Sequence, residues 1–192
     1  SWISKKLKIK NKDLVQFISY GTKNIFVDIK EIKGEKIDFT LPLTITESKI
    51  FRFIDFYKKT WPQKKKVPCH GDLTFDNVIF SKHGIKIIDW ECFYKKGEFW
   101  GYDLAYLILS AATFPYYKYG KLPFKDQQIL KKIWKRLKSI GINKKILTDP
   151  IPVFKNRFRK KHWKMIINRS PKKLFPMIIN KSFYDHLKSV IK

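Results

Sequence analysis

The spacing of apolar residues changes character several times along this chain. Between residues 13 and 40 they come in short runs cut by turn signals: 14–18, broken only by Gln16, then a Gly- and Asn-bearing stretch at 20–24, then 25–29, then Lys33-Gly34-Glu35. Runs of that length, bounded that way, predict two or three strands. Over 46–59 the spacing becomes helical, with Ile50, Phe53, Ile54 and Tyr57 on one face and Thr46 as the expected cap. Pro62 and Lys64-Lys65-Lys66 mark a loop. Residues 77–80 and 85–88 then predict a small hairpin turning at Lys82-His83-Gly84. From Tyr102 the pattern is helical again: Leu104, Leu107 and Ile108 share a face, as do Leu130, Ile133, Trp134 and Leu137, and two further segments, near 157–168 and 173–190, close the chain. Strands, one helix, a hairpin and then helices make an α+β order. There is no internal repeat and no low-complexity linker.

Composition narrows the class. The chain has 192 residues, 44% hydrophobic and 30% charged, enough for one core and unlike a disordered segment. The longest apolar run, 104–114, is interrupted by Ser110 and Thr113 and is too short for a bilayer, so no transmembrane segment is expected. No basic-then-apolar leader opens the sequence. Cys69 and Cys92 have neither metal-ligand spacing nor the numbers of a disulfide framework. These features together give the expectation of a cytoplasmic protein.

The formal net charge is +26, which ordinarily suggests a polyanionic partner. Yet only Arg52, Arg136, Arg157, Arg159 and Arg169 are arginines, and forked readout of phosphates and bases prefers arginine. Lys, Ile, Asn, Phe and Tyr, all with AT-rich codons, are abundant together. Lysines on solvated faces account for the charge, and nucleic acid is not expected as a partner.

Against that excess of lysine, the scarce acids gather in CHGDLTFDNVIF, residues 69–80, and in the Ile87-Ile88-Asp89-Trp90-Glu91 stretch that follows. A hairpin of this length brings Asp72, Asn77 and Asp89 toward one end. Amide and carboxylate oxygens are hard ligands suited to Mg²⁺, which takes one or two protein carboxylates plus substrate phosphates. An acid left free of the metal can take the proton of an attacking hydroxyl. Base, metal-binding amide and metal-binding carboxylate are the parts supplied by the C-terminal lobe of a kinase. Singly, each residue has a duller reading: Asp72 and Asp76 as turn formers, Asn77 as a strand-edge cap, His70 as a core histidine, Asp89 as a surface acid. A Cys69–His70 dyad is disfavoured, because neighbouring strand residues face opposite ways.

The residues also carry a resemblance. His70-Gly71-Asp72-Leu73-Thr74-Phe75-Asp76-Asn77 resembles the H-G-D-x-x-x-x-N catalytic loop of the aminoglycoside phosphotransferase and choline kinase family. Ile88-Asp89-Trp90-Glu91 resembles its I-D-[WF]-E metal motif, and Trp100-Gly101-Tyr102-Asp103-Leu104-Ala105 its later W-D-L-A segment. Bacterial choline-kinase-like members are the nearest in motif. The resemblance implies a protein-kinase-like fold and an ATP-dependent O-phosphotransferase acting on a small hydroxyl-bearing molecule such as choline, ethanolamine or an amino sugar, with Mg²⁺ as cofactor and ATP as co-substrate. It implies Asp72 as catalytic base, Asn77 and Asp89 as metal ligands, His70 as a brace of the loop, Asp103 as acceptor of the loop's backbone hydrogen bonds, and Glu91 near metal or substrate.

The same resemblance makes one part conspicuous. Glycines at 21, 34, 71, 84, 97, 101, 120 and 141 never cluster into a phosphate-covering loop, and Lys8 and Lys10 precede the strands wrongly for the phosphate lysine. Residues 26–35 look like the last strand and hinge of an N-terminal lobe, with the Lys30 to Ile32 backbone meeting adenine. The expectation is therefore residues 1–36 as a remnant of N-lobe strands and hinge and 37–192 as a mostly helical C-lobe with a catalytic hairpin. An N-terminally truncated chain, or one completed by a missing N-lobe or partner chain, would fit. The competing reading is an inactive lysine-rich module that binds nucleic acid or anionic membrane through residues 156–173, where cations alternate with Phe158 and Trp163.

Overall fold

The computed structural model describes residues 33–38, 41–90, 93–142, 146, 148–149 and 181–192. Within them the chain is a mixed α+β arrangement of two small antiparallel sheets and long helices. Strand β1 (Glu35–Lys36) leads to helix α1 (Leu43–Thr60). Strand β2 (Val67–Cys69), a 3₁₀ turn (Phe75–Asn77), and the hairpin β3 (Val78–Ser81) and β4 (Gly84–Ile87) follow. Strand β5 (Tyr94–Glu98) and helices α2 (Tyr102–Tyr119), α3 (Phe124–Ser139) and α4 (Lys181–Val190) complete the described elements.

Helix α1 forms where the spacing predicts, with Ile50, Phe53, Ile54 and Tyr57 all buried on its inner face. Its start differs from expectation. The cap is Pro42, and Thr46 lies inside the helix, its hydroxyl donating back to the carbonyls of Leu43 and Pro42. Proline before the first turn has no N–H to leave orphaned, while a threonine inside a helix satisfies its hydroxyl on the preceding turn.

The three-stranded sheet runs in the order β1-β3-β4, pairing Glu35 with Phe80 and Val78 with Ile87. Two hairpin boundaries shift from the sequence expectation. Asn77 is the last residue of the 3₁₀ turn and not the first of a strand, and β4 runs Gly84–Ile87 where 85–88 is expected. A second sheet, β2 with β5, has no counterpart in the sequence reading. It is fastened by Gly97 at φ +77°, where an added Cβ would stand 2.3 Å from the Val67 carbonyl oxygen, so only glycine permits the approach.

Helix α2 is buried almost all round, from Tyr102 to Ala112, and forms the centre of the core. Helix α1 packs against both α2 and α3, and α4 touches α3 and buries Phe183, Tyr184, Leu187 and Val190, with Phe183 against the Tyr116 ring of α2. Leu130, Ile133 and Leu137 of α3 are buried as expected, while Trp134 on the same stripe is half-buried. No helix of the described residues is long and apolar enough to cross a membrane.

Candidate functional site

The site is built on backbone amides. The loop leaving β2 turns at Gly71 (φ +92°), so that the amides of His70 and Gly71 point the same way. Asp103, in the first turn of α2, meets both: the His70 N–H donates to Oδ2 at 2.8 Å and the Gly71 N–H to Oδ1 at 3.0 Å. Asp103 and His70 are both 0% exposed. A carboxylate removed from water is costly unless its oxygens are filled, and here two charge-assisted bonds, worth about 1.5–3 kcal/mol each, fill them. The α2 N-terminus also favours a negative side chain.

His70 ties the loop to the hairpin. Its Nε2 lies 2.8 Å from the Ile88 carbonyl oxygen. A carbonyl only accepts, so Nε2 carries the proton and Nδ1 is left as an acceptor, toward which the Asp72 amide N–H points at 3.4 Å. The Trp90 ring leans on the imidazole at 4.7 Å between centroids, and its indole N–H donates to the Ile87 carbonyl.

Asn77 closes the unit. Its side-chain N–H donates to the Asp72 carbonyl at 2.9 Å, and its own carbonyl accepts the Ile88 N–H at 3.0 Å. Engaging the amide nitrogen fixes which way the side chain faces and leaves Oδ1 as its oxygen donor. Asp89, one residue beyond Ile88, is exposed and has φ +56°, the only non-glycine at positive φ among the described residues. Aspartate tolerates that region better than most residues, but holding it there costs energy. Asp72 itself is half-buried. Asp72, Asn77 and Asp89 are thus joined through Asn77: one bond to the Asp72 backbone, one to the residue before Asp89. Glu91, Lys30 and Ile32 lie outside the described residues.

One amide and two carboxylates are hard oxygen donors of the kind that suits a cation such as Mg²⁺, which keeps most of its sphere for water and phosphate. Among the described residues no three His, Cys, Asp or Glu side chains gather into a metal-binding cluster, so a cation here would rest on few protein ligands.

One contributor escapes a reading of the sequence. Tyr57 sits on the buried face of α1 like any core residue, yet its hydroxyl accepts the N–H of Gly101 at 3.2 Å, at the N-cap of the helix that carries Asp103. Burial, and next the charge of Asp103, raises its phenol well above the ordinary 10.0, so it remains a neutral hydroxyl. Trp90 reads as one of several aromatics around the acids. With Phe93, Phe99 and Trp100 it is half-buried and packed on the core, and Tyr102 is fully buried.

Residues 29–116 match the model of the phosphotransferase enzyme family, APH. That span contains the loop at 70–77, the Asp89 turn and Asp103. The match supports a relation to the aminoglycoside phosphotransferase and kinase-like proteins and thereby a protein-kinase-like fold and phosphotransferase chemistry; it does not single out choline-kinase-like members. No curated protein and no solved structure matches the chain significantly.

Proposed function

We propose that this chain carries the catalytic half of an ATP-dependent O-phosphotransferase acting on a small hydroxyl-bearing molecule. The observation that supports it most is the bonding of Asn77 to both the Asp72 carbonyl and the Ile88 amide, which ties a potential base and two potential cation ligands into one unit. In this reading the Asp72 carboxylate accepts the proton of the acceptor hydroxyl as its oxygen bonds to the γ-phosphorus and ADP departs. Asn77 Oδ1 and the Asp89 carboxylate would hold Mg²⁺, whose charge offsets that of the phosphates. Asp103 and His70 keep the loop in place, and the Lys30 to Ile32 backbone would meet the adenine. The domain reading that accompanies this is an N-lobe strand and hinge through residue 36 and a C-lobe from 37 onward.

For the acceptor we favour choline, ethanolamine or an amino sugar, since the half-buried Trp90 ring beside the acids suits an amine cation. The test is transfer of labelled γ-phosphate from Mg²⁺-ATP to a panel of such hydroxyl compounds. Asp72→Asn should lower turnover by on the order of 10²–10⁴ while leaving nucleotide affinity nearly intact. Transfer that survives Asp72→Asn undiminished would remove Asp72 as the base.

A further inference from the structure

The three large apolar side chains most exposed among the described residues are Phe124 at 71%, Ile45 at 63% and Tyr119 at 51%. Tyr119 ends α2 and Phe124 begins α3, five positions later across the Gly120 turn. Ile45 belongs to the first turn of α1, and that turn touches the start of α3 directly: the Thr44 N–H donates to Asp126 Oδ1 at 3.2 Å. Phe124 and Ile45 each stand within two residues of that bond. Exposed lysines stand beside Tyr119 and Phe124 along the chain: Lys118, Lys121 and Lys125, the first with its ammonium 5.1 Å from the Tyr119 ring centroid. The acid of this turn, Asp126, is 1% exposed and faces inward, so it does not offset the lysines at the surface.

We propose that the α2–α3 turn, together with Ile45, is a docking tip for an anionic lipid bilayer. Isolated exposed apolar residues need no explanation, but three on adjoining helix ends, with exposed lysines beside two of them, form an interfacial surface. Aromatic and aliphatic side chains enter the headgroup boundary while lysines, their stems lying along the apolar surface, meet the negative headgroups. A second copy of the chain fits less well. Three partly exposed side chains offer a few hundred Å² at most, against roughly 800 Å² per partner in a stable interface. Single-stranded nucleic acid fits less well too, because isoleucine has no ring face on which a base can stack. The tip lies at the opposite end of α2 from Asp103. Eighteen helical residues put it roughly 27 Å from the catalytic loop, so docking leaves that loop facing the aqueous side. The proposal does not depend on phosphotransferase activity.

The test is flotation with phosphatidylcholine vesicles, with and without phosphatidylglycerol, at low and high salt, with far-UV circular dichroism confirming the fold of each variant. The wild type should float with the anionic vesicles only. Ile45→Ser/Tyr119→Ser/Phe124→Ser, which leaves the net charge unchanged, should lower partitioning by on the order of tenfold or more; Phe124→Ser alone, a milder change, should lower it measurably. Lys118→Gln/Lys121→Gln/Lys125→Gln should lose more binding than the charge-matched Lys131→Gln/Lys135→Gln/Lys138→Gln on the exposed side of α3. Equal losses in the two lysine triples, full binding by the apolar triple, or no flotation of the wild type would overturn the proposal. So would a concentration-dependent dimer abolished by Phe124→Ser, which would identify the tip as a self-association surface.

Discussion

The two ends of α2 solve the same problem with different chemistry. At its start, one carboxylate holds two backbone amides of the 70–77 loop: Asp103 accepts from His70 and Gly71, all within the core. At its far end the chain turns through Leu122, whose amide donates at 3.0 Å to Nε2 of His186, contributed by α4. The first anchor is charged, doubly bonded and sealed from water. The second is a single bond to a half-buried neutral imidazole flanked by the Tyr116 ring and by Lys121. The loop at 70–77 is thus held by two buried charge-assisted bonds, whereas α4 adds to its buried apolar contacts one bond that a proton can remove.

That contrast is broken first at Asp103. Asp103→Ala leaves two buried amides without partners, each worth roughly 1–3 kcal/mol, so denaturant unfolding should show a loss of roughly 2–6 kcal/mol. A loss below about 1 kcal/mol would mean that the loop does not depend on this residue. At the other end the effect should be smaller and should depend on pH. To accept from Leu122, Nε2 must be unprotonated, and burial, then the nearby Lys121 charge, lowers the imidazole below its ordinary 6.5. When the folded form resists protonation, the unfolded chain binds more protons. Stability from His186 is therefore complete above 6.5 and declines as the pH falls below it toward the depressed value. Comparing stability at pH ~7 and ~5, His186→Gln should remove part of the wild-type decline, by about 1 kcal/mol or less. Identical slopes in both proteins would show that the bond does not titrate.

The smallest effect should come from the surface between α1 and α3. Arg136 pairs with Asp55 and Lys132 with Glu47, the latter at 3.0 Å, all at least partly exposed. Exposed pairs contribute about 0–1 kcal/mol, so Arg136→Ala should shift stability by no more than that, and less at high salt. A larger, salt-insensitive loss would place the α1–α3 contact among the critical ones.

The same contrast explains what the sequence made legible. The loop at 70–77, the Asp89 turn and Asp103 stand out through their resemblance to the H-G-D-x-x-x-x-N, I-D-[WF]-E and W-D-L-A motifs of the aminoglycoside phosphotransferase and choline kinase family. Helix faces were legible from period alone, as with Ile50, Phe53, Ile54 and Tyr57. What escaped is long-range or hidden inside an ordinary pattern. Strands β2 and β5 are short, one carries a proline and the other mostly polar residues, and neither alternates clearly. Tyr57 is indistinguishable by spacing from a packing residue, although its hydroxyl reaches Gly101 across 44 positions. His186 finds Leu122 across 64, and Asp126 caps the start of α1 across 82. Thr46 was misassigned because threonine serves equally as a cap or, within a helix, as a donor to the preceding turn.

The central claim, that the unit of Asp72, Asn77 and Asp89 binds a Mg²⁺-nucleotide, is tested most directly by thermal unfolding of three proteins titrated with Mg²⁺-ATP. A ligand bound only by the folded state stabilises it, by about 2.7 kcal/mol at a hundredfold excess over Kd. Wild type and Asp72→Asn should be stabilised alike, since a base acts on the acceptor. Asp89→Asn should lose most of the Mg²⁺-dependent part, since its carboxylate would hold the cation. No stabilisation of the wild type, or equal stabilisation of wild type and Asp89→Asn, would contradict the account.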